Sequence, residues 1–306
     1  MYKHLTRKSY AADCTVLHNR QIGGEAWVMG IRCPEVASRS KPGHFVMITV
    51  EKGIHPVLPR PFSIYRLLDS DGGAMGRPPE PAGGGDGIFW RGVSGFDVLY
   101  KVVGDGTERL ARKEPGDTVG IMGPCGDGLY APVFKDDRSP AFVLLVSGGV
   151  GIVPLYFSAI ELAARGVPTY LFFGGRSREY LYDIDLFPPL GTKVFAATED
   201  GSFGEKGLVT HVLGRFLEEG TARGVGGRPL REGAIYACGP EAMLRVVQKI
   251  AAHHAVPSHL SLERRMGCAM GACRGCVVRI ATPDGSPAYQ RVCTEGPVFA
   301  GSEVIL

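Results

Sequence analysis

Met266-Gly-Cys268-Ala-Met-Gly-Ala-Cys273-Arg-Gly-Cys276 crowds three cysteines into one short run, and Cys293 follows alone after sixteen intervening residues. The resulting C-x4-C-x2-C…C spacing is that of a plant-type [2Fe-2S] cluster, which makes the chain an electron carrier. Gly267, Gly271 and Gly275 let the backbone curl and aim N–H groups at the cluster sulfurs, stabilising negative charge there. Bulky side chains would block that approach. A structural zinc site and plain packing are the rival readings. Zinc knuckles, however, usually bring two short-spaced pairs of ligands, whereas here three cysteines share a loop and the fourth comes from a later segment.

Outward from that run, 306 residues give room for two or three domains. A hydrophobic content of 44% and a charged content of 21% are those of an ordinary soluble globule. The net charge of +3 comes with no basic run and no aromatic-interleaved patch, so nothing argues for nucleic acid. The first residues lead into no apolar signal core, and no secretory signal is expected. The most apolar stretch, Ala141 to Phe157, contains Ser147, three glycines and Pro154. It reads as a buried strand, a turn and a helix start, with no membrane span. Beyond the four cluster thiols, Cys14, Cys33, Cys125 and Cys238 are scattered, unlike a secreted disulfide framework. The expected compartment is a reducing cytoplasm.

Three regions are expected. In residues 1–138, β-rich runs such as His44 to Val50 and Val98 to Val103 alternate with Gly/Pro turns, which predicts an antiparallel β-barrel. Lys135 to Pro140 reads as a polar linker. In residues 139–256, strands at Ala141 to Val146, Thr169 to Phe173, Lys193 to Ala197 and Ala234 to Cys238 alternate with helices from about Pro154 to Arg165 and from near Glu241. That alternation predicts an α/β domain with a parallel sheet and helices on both faces. Residues 257–306 form the cysteine module. Asp69 to Gly95 and Gly220 to Gly233 are rich in glycine and proline and are expected to be mobile loops.

The α/β region carries a nucleotide signal, Ser147-Gly148-Gly149-Val-Gly151-Ile-Val-Pro154, directly after its first strand. Gly148, Gly149 and Gly151 permit a tight turn and close approach of a pyrophosphate, while the following helix offers its N-terminal N–H groups. Pro154 suits a first helical turn and replaces the third glycine of the dinucleotide fingerprint. Cys238, Gly239 and Pro240, at the end of a later strand, make the signal more specific. In the barrel region, Arg60, Pro61, Phe62 and Ser63 supply a diphosphate partner, a ring to pack on a flavin and a hydroxyl for a ring heteroatom. An incidental strand is the other reading of those four residues. Gly106 and Thr107, in Gly104-Asp-Gly-Thr107, could cradle phosphate or simply turn the chain. His253-His254 reads as a surface feature.

Together these motifs resemble the ferredoxin-NADP reductase superfamily and, within it, the electron-transfer subunits of class 1B dihydroorotate dehydrogenases. The most specific part is Ser261 to Cys276 with Arg291 to Phe299, which looks like that family's cluster module. The resemblance implies a multidomain protein: an antiparallel β-barrel domain for FAD, an α/β parallel-sheet domain for NAD and a small C-terminal [2Fe-2S] domain. It implies FAD contacts at Arg60, Pro61, Phe62, Ser63, Leu99, Tyr100, Lys101, Gly106 and Thr107. It implies NAD contacts at Gly148, Gly149, Gly151, Pro154, Cys238, Gly239 and Pro240, and cluster ligands at Cys268, Cys273, Cys276 and Cys293. The superfamily often has tyrosine where Phe62 stands. The implied partner is an FMN-containing catalytic subunit that oxidises dihydroorotate, two copies of each subunit assembling. No catalytic acid–base group is expected in this chain. Two other readings stay open: a subunit exchanging electrons between NAD(P)H and ferredoxin, and a non-catalytic redox sensor. Relatives of the first kind often place aspartate at a ligand position, so Cys268 argues against it. Arg176 and Arg178 lie near where a ribose 2′-phosphate would sit in an NADP-binding relative, while the resemblance favours NAD.

Overall fold

Long alternating strands open the described chain, β1 (Tyr10–Gly23) and β2 (Ala26–Arg32), joined by a two-residue turn. Gly24, at φ +47°, supplies the left-handed residue such a tight hairpin needs. The computed structural model describes residues 10–51, 53, 58–76, 81–82, 89–127, 140–282 and 285–306. All of the 135–140 linker except Pro140 lies outside the described residues, as does much of 69–95. A short helix, α1 (Pro34–Ala37), leads to β3 (Phe45–Thr49) and β4 (Arg60–Asp69). A two-stranded hairpin, β5 (Pro81–Ala82) with β6 (Phe89–Trp90), precedes β7 (Val93–Lys101), the helix α2 (Asp105–Ala111) and β8 (Thr118–Cys125). Six of these strands close into an antiparallel barrel in the order β1-β2-β7-β4-β3-β8. Closure leaves no unpaired edge, and Val28, Val46, Ile48, Ile64 and Val98 are buried.

One row of residues ties four barrel strands together in register. His18 faces Gly30, Gly30 faces Asp97, and Asp97 faces Arg66. Asp97 is wholly buried, and Arg66 Nε donates to its Oδ2 at 2.6 Å. His18 Nε2 stands 3.0 Å from Oδ1, at ion-pair distance but without hydrogen-bond geometry. Gly30 makes the reach possible. A Cβ there would meet His18 Cε1 at 2.3 Å.

The second architecture is a seven-stranded sheet built on β9 (Val143–Gly148), β10 (Thr169–Gly175), β11 (Lys193–Thr198), β12 (Glu205–Lys206), β13 (Ala234–Cys238) and β14 (Ser258–Ser261). These six run parallel, and β17 (Val298–Ala300) adds an antiparallel edge beyond β14. Their near-continuous apolar runs suit strands covered on both faces. The covering helices are α3 (Ile152–Ala164), α4 (Val209–Arg223) and α5 (Glu241–His253). The strand order is β12-β11-β10-β9-β13-β14-β17, so connections leave β9 in opposite directions. A small sheet of β15 (Val277–Ile280), β16 (Ala288–Arg291) and β18 (Val304–Ile305) completes the described chain.

One difference from the sequence reading stands out. Helix α4 was not anticipated, and it runs into the expected loop at 220–233, burying Gly220 with a would-be Cβ 3.1 Å from Leu230. By contacts the chain forms two units. One holds Met1–Leu129, Arg264–Cys276 and Arg291–Pro297; the other holds Tyr130–Glu263, Val277–Gln290 and Val298–Leu306.

Candidate functional site

The cysteine loop is shaped by backbone before any ligand is considered. Ala269 at φ +51°, Gly271 at +83° and Arg274 at +55° are all left-handed. For the two non-glycine residues that conformation costs about 1–2 kcal/mol each, a strain that persists where a site over-determines the backbone. The loop turns its amides onto sulfur: Cys273 N–H donates to Cys268 Sγ and Gly275 N–H to Cys273 Sγ, each at 3.4 Å. Burial pushes the Cys268 thiol up, but the N–H groups of Cys273, Met270 and Ala272 outweigh it and bring the thiol down to about 7. Cys293 is pushed up to about 12 by burial and by the adjoining Cys276 thiol.

The four thiols interact with one another: Cys268 with Cys273, Cys276 with Cys293, and Cys268 with Cys293. Among the described residues no three or more His, Cys, Asp or Glu side chains gather as a single metal ion would require. Four interacting thiols, with backbone N–H groups turned onto sulfur, fit the donor set of a [2Fe-2S] cluster. The fourth cysteine is held by contacts that its spacing alone did not reveal. Val292 N–H donates to Cys276 O at 3.0 Å, Arg291 Nη1 donates to Gly271 O at 3.1 Å, and Arg291 Nε donates to Glu295 Oε2 at 2.9 Å. The signal for this brace was an Arg and a Glu four residues apart around Cys293.

The two nucleotide motifs meet. Strands β9 and β13 are parallel neighbours with Ser147 facing Cys238, so their carboxyl ends lie side by side. A Cβ on Gly148 would stand 2.8 Å from Pro240 Cδ, and one on Gly151 2.1 Å from Cys238 O. Gly149, at φ +55°, meets nothing within 4 Å and is required for its conformation alone. Helix α3 begins at Ile152, so Pro154 falls in its first turn, where the missing N–H leaves no helical bond unmade. This end of the sheet is a topological switch point, the place where parallel α/β sheets bind ligands. Ser147 Oγ is buried there without a hydrogen-bond partner. Cys238 is buried too, and desolvation raises its thiol well above the ordinary range.

In the barrel, β4 and β7 are antiparallel neighbours, and Phe62 meets Tyr100 edge-on with ring centroids 5.7 Å apart. Tyr100 Oη donates to Asn19 Oδ1 at 3.0 Å, while Asn19 Nδ2 donates to Leu110 O at 2.9 Å. Burial raises the Tyr100 phenol, so it stays a neutral donor. The Arg60 guanidinium lies across Gly106, where a Cβ would come within 2.6 Å of Cζ, and it donates to Leu58 O. Pro61 and Ser63 are half-buried beside it. Thr107 Oγ1 accepts the Val103 N–H at 2.9 Å and donates to Gly104 O at 2.9 Å, capping α2. The structure therefore gathers Arg60 with Gly106 and Phe62 with Tyr100. Leu99 packs into the buried core, and Lys101 Nζ pairs with Glu25 at 3.0 Å.

Of the two arginines near the ribose position, Arg178 stacks over Phe203 at 4.8 Å and reaches Asp185 at 3.1 Å. Arg176 lies 5.9 Å over the Tyr180 ring. Asp200 follows β11 beside them, its N–H donating to Arg176 O at 3.2 Å. Ser202 donors hold its carboxyl below the ordinary range. His253 is exposed and His254 half-buried, at the end of α5 away from Pro240.

Known proteins resemble this chain over nearly all of its length. Residues 263–305 match the model of the iron-sulfur cluster binding domain of dihydroorotate dehydrogenase B, and residues 145–249 match the oxidoreductase NAD-binding domain. The electron transfer subunit of dihydroorotate dehydrogenase B (NAD(+)) from Geobacillus thermodenitrificans is 34% identical, over 95% of this chain and 97% of its own. The protein of the same description from Bacillus mycoides is 32% identical over the same shares. Among solved structures, an NADH-dependent reduced ferredoxin-NADP oxidoreductase superposes with a TM-score of 0.72 at 25% identity, covering 96% of this chain and 90% of that one. A ferredoxin reductase of carbazole 1,9a-dioxygenase shares the fold at a TM-score of 0.60 and 21% identity, covering 83% of this chain and 70% of that one.

Proposed function

Since this chain belongs to the electron transfer subunits of dihydroorotate dehydrogenase B, we propose that it relays electrons from a partner subunit, which oxidises dihydroorotate at FMN, through a [2Fe-2S] cluster and FAD to NAD+ in pyrimidine biosynthesis. The observation that carries this reading is the meeting of four thiols, three of them on a loop whose amides face sulfur. When bound, the flavin supplies exchange between a hydride and single electrons, and the cluster moves one electron at a time.

The chain's own residues bind and orient. Cys268, Cys273, Cys276 and Cys293 would hold the cluster through their thiolates. Arg60 neutralises the flavin diphosphate, Phe62 and Tyr100 pack against its ring, and Ser63 offers a hydroxyl to a ring heteroatom. The turn of Gly148, Gly149 and Gly151, with the start of α3, receives the NAD pyrophosphate, and Cys238, Gly239 and Pro240 wall its nicotinamide end. These roles divide the chain into FAD (1–138), NAD (139–256) and cluster (257–306) segments. Two copies join two catalytic subunits in the cytoplasm. Among the described residues no helix is long and apolar enough to cross a membrane.

The test is reconstitution. The isolated chain is expected to oxidise NADH with artificial one-electron acceptors and to leave dihydroorotate untouched. Adding the FMN-containing subunit should couple dihydroorotate oxidation to NAD+ reduction. Dihydroorotate oxidation by this chain alone would overturn the division of labour. The likeness to a ferredoxin-NADP oxidoreductase favours a second reading, exchange between NAD(P)H and ferredoxin. Ferredoxin reduction without any coupling to dihydroorotate would put it in first place.

A further inference from the structure

Cys14 and Cys33 belong to none of the sites above, yet the barrel sets them opposite each other. The β1–β2 register pairs Thr15 with Arg32, so the next step out brings Cys14 against Cys33. Cys33 N–H donates to Ser94 O on β7, at 3.0 Å, and so points away from β1. Toward β1 this is a non-hydrogen-bonded position, where opposed Cα atoms in antiparallel strands lie about 4.5 Å apart. A disulfide spans Cα separations of roughly 4.4–6.8 Å, a range that takes in this strand spacing. Both side chains are buried, at 6% and 1% exposure. Protein-sized reagents are shut out.

The two thiols are chemically unequal. The Cys14 thiol lowers Cys33, and the Val36 N–H, which faces the Cys33 sulfur without closing a formal cap, lowers it further against the effect of burial. Cys14 is raised, first by Cys33 and then by burial. The Val36 N–H favours Cys33 as the attacking sulfur, with Cys14 to resolve.

We propose that Cys14 and Cys33 are an oxidation site, closing to a reversible disulfide when the chain meets a hydroperoxide. The Cys33 thiolate attacks the peroxide, an S–O bond forms, the O–O bond breaks, and the departing hydroxide takes up the thiol's proton as water. Cys14 sulfur then attacks the Cys33 sulfenic acid, an S–S bond forms, the S–O bond breaks, and a second water leaves with the Cys14 proton. Two thiols give two electrons, and the peroxide receives both.

The experiment treats the full purified chain, first reduced, with hydrogen peroxide, then quenches in acid, alkylates under denaturing conditions and maps peptides by mass spectrometry. The expected product is a peptide pair joined through Cys14 and Cys33, lighter by two hydrogens and released by dithiothreitol, with Cys125 and Cys238 alkylated in full. In Cys14→Ser, dimedone should trap Cys33 as its sulfenic acid. In Cys33→Ser, Cys14 should remain alkylatable. Should either variant fail to fold, the wild-type peptide map decides. Full alkylation of Cys14 and Cys33 after Cys273 has been oxidised would overturn the proposal, as would a bond from either to another cysteine. Because no cofactor enters the measurement, this result is independent of the electron-relay reading.

Discussion

At Gly106 the lack of a methyl group decides where a guanidinium lies, because a Cβ would press on Arg60 Cζ at 2.6 Å. Arg60→Ala removes charge-assisted hydrogen bonds worth about 1.5–3 kcal/mol each, so FAD affinity should fall roughly ten- to a hundred-fold. Gly106→Ala should displace the same group, and the double variant should bind FAD no worse than Arg60→Ala alone. Fluorescence titration of the apoprotein measures all three, and additive losses would show that Gly106 acts elsewhere. Nucleotide choice is expected to be decided in the other unit, around Arg176, Arg178 and Asp200. Arg178 is engaged by Phe203 and Asp185, which leaves it less free to meet a 2′-phosphate, and Asp200 joins the Arg176 turn through its backbone N–H while Ser202 holds its carboxylate. NADH should therefore exceed NADPH in kcat/KM by at least about ten-fold, on 1.4 kcal/mol per decade, and Asp200→Asn should narrow the gap. A preference for NADPH would reverse the assignment. The spacing of the thiols and glycines was readable from sequence because it is local. Asn19 was not, since its carbonyl partner Leu110 lies 91 residues away.

The row across β1, β2, β7 and β4 is a device of the barrel as an element. Asp97→Asn leaves Arg66 facing a neutral buried partner, and breaking a buried pair on one side costs about 3–5 kcal/mol. The expected result is a lower denaturant midpoint at unchanged slope; an unchanged midpoint would mean the pair contributes no net stability. In the sheet, burial lowers His259 on β14 from 6.5 to about 4, and its Nδ1 has no partner. The unfolded chain binds that proton first, so this stability is complete above pH 6.5 and is lost as pH falls toward about 4. The loss amounts to about 3 kcal/mol at 1.36 kcal/mol per unit. His259→Phe should flatten that acid limb of the stability curve; a limb that stays steep would assign it to carboxylates. Strand Ala234–Cys238 and helix starts near Ile152 and Glu241 were legible because long apolar runs end in glycine or proline. Helix α4 was not, since two glycines weaken its propensity and its apolar face shows only when a sheet is there to receive it.

At the scale of the molecule, Cys276→Ser should abolish the iron–sulfur absorption and break coupling to the catalytic partner, while FAD stays bound and NADH still reduces it. Equal loss of flavin and iron would mean that the two sites cannot be separated. The order of regions along the chain was legible from composition and motif spacing; the grouping of residues 264–276 and 291–297 with 1–129 was not, since it depends on contacts between segments far apart in sequence. That grouping also bears on how the protein is made. Domains generally condense from the N-terminus while a chain is being translated, yet here the first unit draws its last segment, Arg291–Pro297, from just before the C-terminus. Its assembly cannot finish until the intervening unit has been made. The fourth thiol is supplied only once Cys293 has been added, which sets cluster delivery as a late event and leaves a nascent chain stalled short of Cys293 unable to hold one.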